Sequence, residues 1–158
     1  MNFQKTYTAV ATVFGVGRFP FTPGTAASII ALPAAWLIAT AGGSWGRIWL
    51  LMAAIFVNAL GCWACELYAH ETQVKDPSEC VIDEVAGQWI VCAFAPSTSL
   101  YAYAVAFLLF RMFDILKPWP ISAAERLPGG LGIMADDVVA GLMAAAVIAV
   151  LAHLGLVW

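Results

Sequence analysis

Charge is what this sequence has least of. Only 11% of its 158 residues are Asp, Glu, Lys or Arg, against 63% hydrophobic residues and a mean hydropathy of +0.87. Such a chain lacks the polar surface needed to cover a water-soluble globule, so it reads as an integral membrane protein. Cations are especially few. Seven Lys and Arg residues and a formal net charge of −3 leave no basic stripe for nucleic acid, and no nucleic-acid partner is expected. Zinc ligands are also short. Cys62 and Cys65 form a C-x-x-C pair inside an apolar stretch, but no second pair or nearby histidine completes a set, since His70 and His153 lie elsewhere and Cys80 and Cys92 stand alone. The thiols are read as packing residues. No repeat, low-complexity tract or linker divides the sequence, and its length suits one domain over residues 1–158.

What the chain does have is apolar length. Stretches run from Thr25 to Ala41, Ile48 to Cys65, Val81 to Ala95, Ser97 to Phe110 and Val138 to Val157, against about 20 residues needed to cross hydrocarbon as a helix. The expectation is an all-α membrane bundle of about five helices. Alternate threading puts residues 1–24, 66–80 and 111–137 on one side. Of the seven basic residues only Arg47 falls outside that group, so the crowded side is expected to face the cytoplasm. Ala39-Thr40-Ala41 follows an apolar stretch, as a signal-peptide cleavage site would. The Gly- and Pro-rich residues 15–24 make a poor leading region, and no cleavage is expected.

Every acid of the chain falls on that same side. Asp83 and Glu84 stand at the mouth of the third stretch, with Gln88 on Glu84's face and Gly87 small enough to admit another helix. Arg111 and Asp114 share a helical face at the end of the fourth, with Lys117 three residues on. Asp136 and Asp137 lead into the fifth, where one of them could serve only as a helix cap. Ahead of the first stretch, Thr22 or Thr25 could cap a helix whose N-terminus, with Arg18, would attract an anion. Each segment alone also reads as a cap or a salt-bridged helix end. Together they bring five carboxylates to one head-group depth, where unpaired acids are expensive and suggest function. An all-oxygen cluster suits Mg²⁺. Mg²⁺ beside Arg111 and Lys117 suits a phosphate group, and the interfacial position suits a lipid carrying one.

The segments themselves are specific. Pro23-Gly24-Thr25, Asp83-Glu84-x-x-Gly87, Phe110-Arg111-x-x-Asp114-x-x-Lys117-Pro118-Trp119-Pro120 and Gly129-Gly130-x-Gly132-Ile133-Met134-x-Asp136-Asp137-x-x-Ala140-Gly141 resemble, in order and spacing, the phosphatidylglycerophosphatase A family. Two departures are modest: Ile82 stands where an aromatic often precedes the acidic pair, and Glu125-Arg126 replaces a more usual Asp-Arg.

The resemblance implies a bacterial inner-membrane, Mg²⁺-dependent phosphatase that converts phosphatidylglycerophosphate to phosphatidylglycerol and inorganic phosphate. Matched by position, Asp83, Glu84, Asp114, Asp136 and Asp137 become candidate metal ligands or the general base. Arg111 and Lys117 become candidate phosphate contacts, joined by Arg18 and Thr25 as candidate substrate-binding residues. The lipid bilayer is the expected surrounding, and the sequence leaves the oligomeric state open. Two rival classes are weighed: a small cation transporter, whose acids would line a path through the membrane, and a non-catalytic membrane subunit docking a partner. The acid-free far ends of all five stretches count against the transporter.

Overall fold

A computed structural model describes residues 3–155, and the regular elements among them are all helices. The five apolar stretches become α2 (Pro23–Ala41), α3 (Gly46–Thr72), α4 (Ile82–Phe94), α5 (Leu100–Leu116) and α7 (Gly129–His153). Two helices were absent from the expectation of about five: α1 (Phe3–Ala11) and the single turn α6 (Ile121–Ala124). Both lie in segments read as loops. Hydropathy could not find α1 because its stripe is thin: Tyr7 and Ala11, one turn apart, are its buried apolar residues, and it packs on α3.

Three helices, α2, α3 and α7, are long and apolar enough to cross a membrane. The shortest of the five, α4, need not do so against lipid. Nine of its thirteen residues are buried, and it sits among α2, α3, α5 and α7. Small residues make that burial possible. On α2 the stripe Ala27, Ala31, Ala35 and Ala39 is buried at every turn, which lets neighbouring backbones approach, and the Trp89 indole of α4 donates to the Ala31 carbonyl at 2.9 Å. Large apolar side chains face outward instead, among them Ile30, Leu37, Ile55, Phe56 and Leu108, as lipid-facing positions should.

The helices run alternately, so each offers one end to the same pole. At one pole Arg47, at the start of α3, donates to the Pro96 carbonyl beyond α4 at 2.7 Å. At the other, Glu66 near the C-terminal end of α3 accepts the Gly130 amide at the start of α7 at 2.5 Å. That second pole holds the acids. α1 braces it: the Val81 amide donates to the Ala11 carbonyl at 2.9 Å, and the Cys80 amide closes a turn on Pro77 at 2.8 Å. The loop before α4 is thereby fixed against the bundle.

Candidate active site

At the acid pole a cavity of about 160 Å³ opens between the N-terminal ends of α2, α4 and α7 and the C-terminal end of α5. Six carboxylates line it, from Asp76, Asp83, Glu84, Asp114, Asp136 and Asp137, against one cation, Lys117. The five acids singled out from sequence therefore meet, and Asp76 joins them.

Those five are each placed by a helix, while Asp76 comes from the loop between α3 and α4. Asp83 and Glu84 occupy the first turn of α4, where free amides favour negative charge, and the Glu84 amide donates to Asp83 Oδ1 at 2.9 Å. Asp114 lies in the last turn of α5, one turn from Arg111. The Arg111 Nη1 contacts Asp114 Oδ2 at 2.8 Å and also pairs with Glu84 Oε2. Arg111 is thus a strut between α4 and α5, with all three side chains nearly buried. It is not among the cavity-lining residues, and its Nε is buried without a partner.

Asp136 and Asp137 do not cap α7. The helix begins at Gly129, behind Pro128, so both acids lie two turns inside it and the capping expectation fails. Two close approaches make the earlier start possible: at Gly129, which has positive φ, and at Gly130, any Cβ would collide with Glu66 or the Cys62 carbonyl of α3. Asp136 Oδ2 accepts from Lys117 Nζ at 2.7 Å, while its Oδ1 accepts the Asp137 amide at 3.0 Å. Asp137 is 3% exposed, and its Oδ2 has no hydrogen-bond partner. Lys117 follows the last residue of α5 in a left-handed conformation and also reaches Glu125 at 3.2 Å. Burial works against its charge, but hydrogen bonds and the charges of Asp136 and Glu125 prevail and hold its pKa above the ordinary lysine range.

One oxygen from each of Glu84, Asp114 and Asp137 lies within 4.8 Å of the others. Among the described residues Arg111 is the cation paired with Glu84 and Asp114, and the third carboxylate, Asp137, has a buried oxygen with nothing to accept. Uncompensated charge of this kind, in an all-oxygen set, fits a hard divalent cation.

Two residues named from sequence stand apart. Arg18 is exposed and faces Glu79 at 3.6 Å. Thr25 lies in the first turn of α2, half-buried, outside the cavity lining. Thr22 occupies the cap position of that helix without a side-chain cap bond. Ser28, not singled out before, is fully buried one turn further along α2. Its hydroxyl contacts Glu84 Oε2 at 3.2 Å, accepts from Arg111 at 3.4 Å and donates to the Gly24 carbonyl at 3.0 Å. A serine one turn inside an otherwise apolar stretch was the available signal. Gly24 has its own reason: a Cβ there would collide with the Glu84 carboxylate.

Comparison with known proteins gives a consistent result. The family model for phosphatidylglycerophosphatase A matches residues 9–152. The chain is 34% identical to phosphatidylglycerophosphatase A of Escherichia coli K12 over 97% of its own length and 87% of that protein's. It is 38% identical to phosphatidylglycerophosphatase A of Haemophilus influenzae Rd, covering 88% and 84%. A Bacteroides thetaiotaomicron protein, provisionally named a phosphatidylinositol-3-phosphatase, is 37% identical over 89% and 90%. No solved structure matches.

Proposed function

The chain belongs to the phosphatidylglycerophosphatase A family and is a phosphatase, and from that premise we propose that it hydrolyses phosphatidylglycerophosphate to phosphatidylglycerol and inorganic phosphate. The reaction would take place at the cytoplasmic face of a bacterial inner membrane, in one domain spanning residues 1–158, with Mg²⁺ as cofactor. The observation that carries this reading is the convergence of six carboxylates on a small polar cavity at the end of an apolar bundle. A lipid can present its phosphate there while its tails stay in hydrocarbon.

Glu84, Asp114 and Asp137 would hold the metal, since they form the close oxygen triad and Asp137 Oδ2 lacks any other partner. When bound, Mg²⁺ supplies the positive charge that draws in phosphate oxygens and offsets charge developing during phosphoryl transfer. Arg111 keeps Glu84 and Asp114 in position from behind the cavity lining. Lys117, the one cation lining the cavity, binds a phosphate oxygen while steadying Asp136. Asp83 lines the cavity with no cation among the described residues paired to it, which suits a base. It takes a proton from water as the water oxygen bonds to phosphorus and the phosphorus–glycerol oxygen bond breaks, and the leaving glycerol oxygen takes up a proton from solvent to become the alcohol. Arg18 and Thr25 would contact the substrate only at the rim, outside the cavity.

The test is phosphate release by the purified protein from the lipid monoester, with and without chelator. Activity that disappears with the chelator and returns with Mg²⁺ is expected. Undiminished release after full chelation overturns the metal assignment, and no release under any condition overturns the substrate.

A further inference from the structure

The cavity that gathers the acids is polar and holds about 160 Å³, enough for a phosphate and part of a glycerol but not for hydrocarbon. A second cavity of about 520 Å³ is almost wholly apolar and lies between α2 and α5, lined by Ile29, Leu32, Pro33 and Trp36 on one wall and by Leu100, Tyr103, Ala104 and Phe107 on the other.

Helix periodicity joins the two. On α2, Thr25, Ile29, Leu32 or Pro33, and Trp36 follow one another at three- or four-residue steps, so they lie along one face. Ser28, which bonds both Glu84 and Arg111, is adjacent in sequence to Ile29. On α5, Arg111, Phe107, Ala104 or Tyr103, and Leu100 form the matching stripe in the opposite chain direction. The groove therefore begins one turn from the Arg111–Glu84 pair and leads away from it. It continues over eight residues, or seven residue steps, on each helix, roughly 10 Å at 1.5 Å per residue. Its mouth is open to the surroundings: Ile29 is 51% and Leu100 89% exposed.

We propose that this groove seats an acyl chain of the lipid substrate, aligning the head group with the acid cavity. The inference rests on the phosphatase reading of that cavity and adds a site for the tail. Because hydrocarbon surrounds the groove, a chain entering it gains little transfer free energy. What the groove provides is orientation: a tail held along α2 and α5 restricts where the phosphate can lie, and small misplacements of a reacting group are costly. Trp36 and Pro33 stiffen one wall and the short Ala104 leaves the room in the other. Thr25, outside the polar cavity, then stands where head group and tail meet.

The experiment pairs a filling substitution with two substrates. Ala104→Phe narrows the groove without altering any residue of the acid cavity. Kinetics are measured on the monoester with long acyl chains in phospholipid nanodiscs and on a dihexanoyl form too short to occupy the groove. The expected result is a kcat/KM about tenfold lower on the long-chain substrate, with the short-chain rate kept near that of the parent protein. Equal rates on both substrates, or equal losses on both, overturn the proposal. Independently, the parent protein is irradiated with phosphatidylglycerol carrying a diazirine in its acyl chain, and the labelled peptides are mapped. Labels on residues 29–36 and 100–107 are expected. Labels spread evenly over the outer faces of α3 and α7 overturn the groove, as do labels from a second copy of the chain cross-linked at this seam. A protein that labels in the groove yet releases no phosphate from either substrate would refute the activity while keeping the chain site. One that releases phosphate without labelling there would do the reverse.

Discussion

Gly87 and Gly141 touch backbone to backbone: a Cβ on Gly141 would stand 2.6 Å from the Gly87 carbonyl oxygen, and one on Gly87 would stand 2.7 Å from the Asp137 carbonyl. The contact sets the spacing of the acids, because Glu84 lies three residues before Gly87 on α4 and Asp137 four residues before Gly141 on α7. Any side chain here must push the two helices apart, and with them the oxygen triad.

Gly141→Ala should therefore lower stability by about 1–3 kcal/mol, the usual range for overpacking a core, and lower activity by more than that loss implies. Thermal unfolding in detergent and phosphate release at a temperature where the variant is fully folded separate the two effects. Parent-level activity in the folded variant would mean that the close approach does not position the acids.

Asp137→Asn tests the triad at the atom without a partner. The amide keeps the shape but loses the charge and replaces one acceptor with a donor. If Asp137 holds the divalent ion, the variant should need far more Mg²⁺ and lose about 10²-fold or more in turnover, the scale on which a lost electrostatic contact to the transition state acts. Stability without metal should hold or rise, because a buried like-charge contact disappears. Isothermal titration with Mg²⁺, alongside unfolding in chelator, reads both. Unchanged Mg²⁺ affinity would remove Asp137 from the ligand set.

Much of this arrangement was readable from side-chain chemistry, and the unreadable parts share a physical cause. Apolar length found α2, α3, α4, α5 and α7 because burial in lipid or protein demands it. The same signal was blind to α1, whose buried apolar side chains among those described are Tyr7 and Ala11, and to the one-turn α6. The five acids were legible because charge in an apolar chain is conspicuous. Which cation serves which acid was not, since it depends on packing between distant elements: Arg111 turns back to Glu84 on α4, and Lys117 reaches across to Asp136 on α7. Ser28 escaped because a hydroxyl inside a helix ordinarily bonds its own backbone, as it does to Gly24, and nothing local announces its second bond to Glu84. The mistaken cap at Asp136 and Asp137 had a local origin too. Acid pairs before an apolar run resemble a helix start, whereas Gly129 and Gly130 carry the helix two turns earlier by fitting against α3.

Arg111 carries a prediction about geometry as well as charge. Glu84, Asp114 and Ser28 are all met by the one Nη1 atom of Arg111; a lysine keeps the positive charge, but its shorter stem cannot bring its ammonium to that point. Arg111→Lys is expected to stay folded and lose about tenfold to a hundredfold in turnover, while Arg111→Ala should unfold far more easily, since stripping the partner from buried carboxylates typically costs about 3–5 kcal/mol. Added Mg²⁺ should recover part of the alanine variant's stability by replacing the missing charge. Equal stability of the two variants would show that Arg111 is not the strut between α4 and α5.

Lys117 separates substrate binding from metal binding, because it is the lone cation lining the cavity and also neutralises Asp136. Replacing it with methionine keeps most of the stem and removes the charge. Two effects of opposite sign follow. The anionic lipid monoester should bind less well, with KM rising about tenfold, within the range of a lost charged hydrogen bond. The Mg²⁺ concentration for half-maximal activity should fall, because a more negative cavity attracts the cation more strongly. Steady-state kinetics over a grid of substrate and Mg²⁺ concentrations resolve both. Glu125→Gln, which alters the outer, half-exposed partner of the same lysine, should move neither value by more than about twofold, as exposed ion pairs contribute little. If Lys117→Met raised the Mg²⁺ requirement along with KM, the lysine would be supporting the metal site through Asp136 and would not be contacting phosphate.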